Sequence, residues 1–302
     1  MGNRKFIIYV FIGCIASSLI LALYFLIRKP EKIAPPVEMK QDRVIVFKEV
    51  KYAGEKKGVI DWEIKAKVAR KYIDQPLVEL ETLTGQYRPK ADTIVNFRGT
   101  KGALDTDQEK GKVEGVEVLY KNEYTLKSDY MDFDFKKGTT NTQAAVNIGG
   151  PKLTMRGIGL AADTNRETVV LQRDVSGVLE TSKNKYRFQA DVLTYHFKED
   201  LYILEGKVVF KGEDLSLLCS KLLIYSDGKE LERVEAYNKV SVMSRGTIAK
   251  SEKAVYHFKE GKMMFTNSPQ VTKDRMQMQG DSIQYSKDGK VFVNKPKLRL
   301  NQ

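Results

Sequence analysis

Histidine, cysteine and carboxylate residues are the side chains in this sequence whose chemistry suits catalysis or metal binding. The two histidines, His196 and His257, occupy the same place in two Tyr-His-Phe-Lys-Glu segments that lie 61 residues apart. A zinc site needs several converging nitrogen or sulfur ligands, and two distant histidines with Cys219 do not supply them. No glycine-rich phosphate loop and no G-x-S-x-G elbow occurs. The sequence therefore predicts no catalytic residue, no metal ligand, no cofactor and no enzymatic activity.

A stripe of aromatic, leucine and methionine side chains is the more informative pattern. In the stretch 186–212, Tyr186 and Phe188 alternate with polar residues, and Leu193 and Tyr195 continue the alternation after a one-residue change of phase. Such period-two alternation predicts half-buried strands. The members of the stripe are Phe133, Phe135, Met155, Phe188, Leu193, Tyr195, Phe197, Leu217, Tyr225, Tyr256, Phe258, Met276, Met278 and Tyr285. They are candidates for the lining of an apolar groove between two sheets, or for a closed sandwich core.

The strand–turn–strand unit that carries this stripe recurs along the chain. Its aromatic anchors, separated by 62, 30, 31 and 29 residues, are Phe133, Tyr195, Tyr225, Tyr256 and Tyr285. A degenerate copy, with Glu167 near the expected place, fills the first gap and makes the period about thirty residues. Asp-Gly and similar turn signals follow most anchors, as expected for hairpins. The pattern predicts an elongated, all-β, antiparallel array.

The amino-terminal part differs from the repeats. Phe6–Ile27 is an uncharged apolar run of 22 residues, which as a helix would span roughly 33 Å and cross a bilayer. It is longer than the apolar region of a cleavable signal peptide. We therefore predict a cytoplasmic stub and transmembrane helix over residues 1–29 and a proline-containing linker over residues 30–42. Basic residues flank the span on both sides, so charge does not fix its orientation.

Charge and local composition set further limits. The net charge of +12 is spread over 302 residues without a block of five or six basic residues, which argues against nucleic acid as a partner. The basic surface is either a solvated face or attractive to an anionic ligand. Lys65–Tyr72 is compatible with a short helical turn because alanine and lysine are poor strand formers. The polar stretch Thr181–Lys185 is the predicted boundary between modules at residues 43–180 and 181–302.

Two parts of the sequence resemble proteins of lipopolysaccharide export. The single span, the linker and the pattern that follows, with its Gly58…Trp62-x-x-x-Ala66-x-x-Ala69 spacing, resemble the LptC family. The stretch 189–242 is similar to the LptA/OstA module, the soluble bridge of the same pathway. The chain is longer than an ordinary LptC, which suggests that the two modules are fused or that the array is extended.

The resemblance implies a twisted β-jellyroll of two antiparallel sheets with an apolar interior. It implies an inner-membrane protein with its bulk in the periplasm. Such a protein would take lipopolysaccharide from an ABC transporter resembling LptB, LptF and LptG. It would pass the lipid to a periplasmic LptA-like bridge or an outer-membrane LptD-like protein. A tethered β-repeat protein that assembles other proteins and binds no lipid remains the alternative.

Overall fold

The computed structural model describes residues 43–300, except 57–58, 91–92, 121, 183, 228–229, 274–275 and 287–288. The predicted span and linker, residues 1–42, lie outside the described residues. Within the described part, no helix is long and apolar enough to span a membrane. Every regular element in that part is a β-strand.

Twenty-one strands make up the described residues. Their bounds are β1 Val44–Lys56, β2 Val59–Tyr72, β3 Leu77–Lys90, β4 Thr93–Asp105, β5 Lys110–Tyr120, β6 Tyr124–Asp134, β7 Thr139–Gly149, β8 Leu153–Asp163, β9 Thr168–Glu180, β10 Lys185–Ala190, β11 Val192–His196, β12 Leu201–Lys211, β13 Ser216–Ser226, β14 Leu231–Ser244, β15 Thr247–His257, β16 Lys262–Thr266, β17 Gln270–Lys273, β18 Met276–Gln279, β19 Ser282–Ser286, β20 Val291–Asn294 and β21 Lys297–Leu300.

These strands form one continuous antiparallel sheet in which neighbours along the chain pair in space. β1 to β9 pair consecutively. Later strands are interrupted, so that β10 and β11 both pair with β9 and β12, and β16 and β17 both pair with β15. The register runs through the predicted module boundary, because Glu180 of β9 pairs with Lys185 of β10. The all-β antiparallel prediction is confirmed.

A kink near the middle of most strands divides this sheet into two halves. Residues with positive φ recur at these kinks. Examples are Glu49, Thr82 and Gly115, which are spaced 33 residues apart. Such a residue interrupts the ladder as a bulge and bends the strand. It also changes which positions face inward, so that even-numbered residues point into the interior after the kink where odd-numbered residues did before it, or the reverse. In β8, for example, Met155 and Gly157 are buried before the kink at Gly159, and Leu160 is buried after it.

The two halves pack against each other through their apolar faces. Half-sheet 1 contains the strand segments next to the turns at 73–76, 106–109, 135–138, 164–167, 197–200 and 258–261. Half-sheet 2 contains the segments at the opposite ends of the same strands. Side chains of both halves belong to one buried apolar cluster. The mid-strand change of phase that is visible at Asp191, between β10 and β11, is therefore the point where the chain passes between half-sheets.

The predicted helical turn at Lys65–Tyr72 is wrong, because these residues form the second half of β2. This strand pairs with β1 on one side and β3 on the other, and those ladders outweigh the weak intrinsic preference of alanine and lysine. Ala66 and Ala69 are 5% and 0% exposed, so their small side chains lie inside, where the strand bends.

Candidate functional site

The apolar interior between the half-sheets is the candidate site, and the strand register aligns its side chains in rows. One row in half-sheet 1 crosses the sheet from β6 to β20 through directly paired residues. Its members are Phe133, Thr140, Ala162, Val169, Tyr195, Tyr202, Ile224, Val234, Tyr256, Met263, Tyr285 and Val291. Four of the five predicted anchors stand in this row. In the degenerate copy Ala162 occupies the anchor position, and Glu167 lies in the following turn.

Tyr225 is the anchor that the structure places differently. Ile224, 2% exposed, takes the interior position in β13. Tyr225 therefore lies on the outer face, where the Arg233 guanidinium stands 3.6 Å from the centre of its ring. The one-residue difference arises because the kink in β13 shifts the alternation. Met276 also departs from the prediction, since it is 43% exposed near the end of its half-sheet.

The other predicted lining residues lie in the interior or at its edge. Those that are fully buried are Phe135, Met155, Phe188, Leu193 and Leu217. Those that are partly buried and packed against the buried cluster are Phe133, Tyr195, Tyr256, Phe258, Met278 and Tyr285. Phe197 is half-buried and contacts the ring of Tyr195 at 4.6 Å. The structure thus collects most of the stripe on one continuous internal surface.

Aromatic pairs join the half-sheets along the side opposite the kinks, which we call the mouth. Three of the described turns of half-sheet 1 begin with a phenylalanine whose ring reaches an aromatic ring of half-sheet 2. The shortest pair of each, with its ring-centre distance, is Phe135 with Trp62 at 4.9 Å, Phe197 with Tyr120 at 5.4 Å and Phe258 with Tyr186 at 5.7 Å. Further pairs between the half-sheets are Phe135 with Tyr87 at 6.2 Å, Phe135 with Phe97 at 6.5 Å and Phe133 with Phe97 at 5.2 Å. The partners in half-sheet 2 were not among the predicted site residues. The alternation places Tyr186 on the apolar face of its strand, but no signal in the sequence pairs these rings across the mouth.

Buried phenols near the mouth stay neutral at ordinary pH. The Tyr195 hydroxyl donates to Asp200 Oδ1 at 2.8 Å, and its ring stacks on that of Tyr202 at 4.4 Å. Burial is the main reason that the pKa values of both phenols lie far above their usual range. Burial likewise raises the pKa of Tyr186 to about 12 and that of the Cys219 thiol to about 12. The interior therefore carries no charge from these groups, which suits an apolar ligand.

Two buried donors interrupt the apolar lining. Within the part of the chain that the structure describes, Trp62 Nε1 and Ser128 Oγ are buried without a hydrogen-bond partner. A buried donor without a partner is destabilising by about 1–3 kcal/mol. Both lie on half-sheet 2, Trp62 close to the mouth and Ser128 beside the kink of β6. A ligand with acceptor oxygens could accept a hydrogen bond at either position and so give the buried donor a partner.

The histidines lie away from this interior. The neighbours of His196 and His257 in sequence, Tyr195 and Tyr256, point inward, so both imidazoles belong to the outer face. Among the described residues no group of three or more histidine, cysteine, aspartate or glutamate side chains is arranged to hold a metal ion.

Comparison with known proteins adds the family to this geometry. Residues 187–291 match the family described as LptA/(LptD N-terminal domain) LPS transport protein. No curated protein sequence matches the chain. Among solved structures, the chain is similar to LptH, the LptA-homologous periplasmic component of the lipopolysaccharide transport device of Pseudomonas aeruginosa. The identity is 15%, with 39% of this chain and 95% of that chain covered and a TM-score of 0.37. Residues 14–180, more than half of the 302-residue sequence, match the model of the family described as lipopolysaccharide-assembly, LptC-related, and the chain belongs to that family.

Proposed function

We propose that this protein carries lipopolysaccharide by holding its acyl chains between the two half-sheets. Membership of the LptC-related family makes the chain a component of the lipopolysaccharide transport bridge and not an enzyme. In our proposal it accepts the lipid from an inner-membrane ABC transporter resembling LptB, LptF and LptG. It then passes the lipid to an LptA-like bridge protein or an LptD-like outer-membrane protein.

The observation that carries this proposal is the continuity of the apolar interior across both family-matched parts. Phe188 of the LptA-like part lies against Gly177 of the LptC-like part, and the two residues are paired across β9 and β10. A lipid held between the half-sheets would therefore meet no polar barrier at this junction. Water exposure of an acyl chain costs ~0.8 kcal/mol per CH₂, or about 10 kcal/mol for a dozen carbons. A covered path is the physical requirement for crossing an aqueous compartment.

Entry of an acyl chain requires the mouth to open. Each aromatic pair across the mouth is worth about 0.5–1.5 kcal/mol beyond its area burial, and opening also exposes the apolar area that these rings cover. An acyl chain that enters covers that area again, so the lipid itself offsets much of the cost of opening.

The orphan donors suggest how the polar end of each acyl chain is received. Acyl chains attached to a sugar carry ester or amide carbonyl oxygens at their heads. Trp62 Nε1, near the mouth, would donate to such an oxygen while the apolar chain passes inward. This would satisfy a donor that has no partner within the described residues.

Exposed edges at both ends of the sheet support docking to partners. β1 pairs only with β2 among the described strands and exposes Ile45, Val46 and Phe47 by 46%, 57% and 41%. We propose that this edge docks on the periplasmic domain of the transporter. β20 and β21 each pair with a single described strand, and unpaired edges of this kind accept added strands. We propose that they join the next jellyroll of the bridge. Residues 1–29 would anchor the protein as a single inner-membrane span, with residues 30–42 as a spacer and the bulk in the periplasm.

Site-specific photocrosslinking tests the lipid path. A photoreactive residue in place of Tyr195 or Phe258 should crosslink to lipopolysaccharide in cells. One in place of His196 or His257 should not, because these side chains lie on the outer face. Equal labelling of both sets would contradict the face assignment. Labelling of neither set, with crosslinks only to proteins, would favour the alternative of a tethered assembly protein.

A further inference from the structure

A concave region lies on the outer face of half-sheet 2, across the sheet from the interior. Most of its lining residues occupy outward-facing positions, and those at inward-facing positions are Ile148, Met155, Gly177 and Phe188. The region has a volume of about 680 Å³ and lies across β6 to β10 and β12. Its floor includes the small residues Gly149, Thr154 and Ser176. A Cβ added at Gly149 would have no other atom within 4 Å, so the space above this residue is open. The size is within the range of about 300–1,000 Å³ that is usual for small-molecule sites.

Four cationic side chains line this region, and its lining contains no acidic residue. They are Lys127, Arg156, Arg187 and Lys211. Lys127, Arg156 and Arg187 stand on β6, β8 and β10. One strand lies between each of these strands and the next, so β6 and β8, like β8 and β10, are about 10 Å apart at the usual strand spacing. Lys211 is on the next strand, β12, directly opposite Arg187. Neutral amides and hydroxyls and the half-buried Val178 and Val209 occupy the positions between the cations.

These cations are poorly neutralised by the protein itself. Within the described residues Arg187 and Lys211 have no acidic partner, and Arg156 is hydrogen-bonded only to Ser176 Oγ at 3.1 Å. Lys127 shares Glu117 with Arg98, at 3.5 Å and 2.8 Å respectively. Like charges directly opposite each other on neighbouring strands, as in Arg187 and Lys211, are destabilising. Folding alone therefore does not account for this arrangement, whereas a bound anion would.

We propose that this outer concavity binds an anionic saccharide whose sugar units carry phosphate groups. The cations would pair with the phosphates. Arg187 and Lys211 together would hold one of them, because charge-assisted hydrogen bonds from two adjacent donors are the strongest available here. Asn147 and Gln189, which also line the region, would bond sugar hydroxyls. The lining has no exposed large apolar or aromatic anchor of the kind that peptide docking requires, so a saccharide fits better than an acidic protein segment.

This site does not depend on acyl chains entering the interior, so its test uses a ligand without them. The probe is a glucosamine disaccharide that carries two phosphate groups and no acyl chain. Its binding to the full chain in detergent is measured by titration calorimetry at two salt concentrations. The double variant Arg187→Gln/Lys211→Gln removes the adjacent cations. The matched control, Lys101→Gln/Lys250→Gln, removes the same charge from exposed positions outside the lining.

The disaccharide should bind the parent protein, and the Arg187→Gln/Lys211→Gln variant should bind it at least about tenfold more weakly, since each charged hydrogen bond is worth about 1.5–3 kcal/mol. The control should change affinity by less than about twofold. The melting temperature of the site variant should be no lower than that of the parent, because a like-charge pair is removed. Absence of binding, or equal weakening in both variants, would overturn the proposal. Tighter binding of a glutamate heptapeptide than of the disaccharide would overturn it in favour of an acidic protein segment. Interior crosslinking to lipopolysaccharide is unaffected by any of these outcomes.

Discussion

Replacing Gly177 by alanine tests whether the junction between the two family-matched parts is a packed continuation of one fold. An added Cβ at this position would lie 2.5 Å from Phe188 Cζ and 2.6 Å from the Thr154 carbonyl oxygen. The ring can rotate, but the carbonyl oxygen belongs to the ladder between β8 and β9 and cannot move without disturbing it. Gly177 therefore allows the Phe188 ring to lie close over β9.

The expected effect follows from two opposing contributions. Overpacking of this kind typically destabilises by about 1–3 kcal/mol. Alanine also restricts the unfolded chain, which stabilises by about 0.4–1 kcal/mol. We therefore expect Gly177→Ala to lower the free energy of unfolding by about 1–2 kcal/mol. Gly149→Ala is the matched control, because nothing lies within 4 Å of its Cβ and its φ is not positive. It should leave stability unchanged or raise it slightly.

The assay is urea unfolding of the full chain in detergent, followed by tryptophan fluorescence and by circular dichroism. The single tryptophan, Trp62, reports on the LptC-like part, whereas circular dichroism reports on all strands. A weakened junction between stacked units reduces their cooperativity, so the two transitions should separate in Gly177→Ala and coincide in the parent. Unchanged stability of Gly177→Ala, or equal destabilisation by Gly149→Ala, would refute the packing that we infer at the junction.

Three further experiments address the interior. In a Cys14→Ser background, Cys219 should react with a maleimide at pH 8 only after unfolding, because burial raises its pKa to about 12; rapid labelling of the folded protein would contradict its position. Burial raises the pKa of Tyr186 to about 12, above the unfolded value of about 10, so its contribution to stability is present below pH 10 and lost as the pH rises toward 12. Tyr186→Phe should make the alkaline decline in unfolding free energy shallower, and an identical decline would count against this burial. A cysteine pair at Tyr120 and Phe197, joined by a bifunctional maleimide with a cleavable spacer, should lock the mouth and abolish lipopolysaccharide binding until the spacer is cleaved, whereas undiminished binding would mean another entry route.

The sequence predicts the strands and their inward faces wherever the alternation is long enough to see. The stretch from Tyr186 to Tyr195 even contains the kink, as the change of phase at Asp191. Elsewhere the sequence does not indicate the kinks, because Thr82 and Asp174 have positive φ although neither is a glycine, the residue type that usually marks such a position. An unseen kink moves every later face assignment by one residue, which is why Ile224 and not Tyr225 points inward.

The contacts across the mouth could not be predicted for a different reason. Alternation fixes the face of a strand but not the strand that lies opposite it in the other half-sheet. Phe135 and Trp62 are 73 residues apart in sequence, and only the fold of the whole sheet brings their rings together. The outer cations are equally invisible, since Lys127 and Lys211 become neighbours of one concavity only through the ladders between β6 and β12.

The kinks also explain how such a sheet can open without unfolding. Each long strand of the described chain contributes to both half-sheets, so its ladder hydrogen bonds run between neighbouring strands within each half, and among the described strands none of these ladders crosses the mouth. Separation of the halves can therefore proceed as rotation about the line of kinks, which leaves the ladders intact and breaks apolar and aromatic contacts together with the hydrogen bond of 3.4 Å between the hydroxyls of Tyr87 and Thr164. That line runs perpendicular to the strands, in the direction in which β1 is followed by β2 and finally by β21. We infer that a lipid held between the halves moves along the same direction, from the edge at β1 toward the edge at β20 and β21, so that the order of the strands is also the direction of transport.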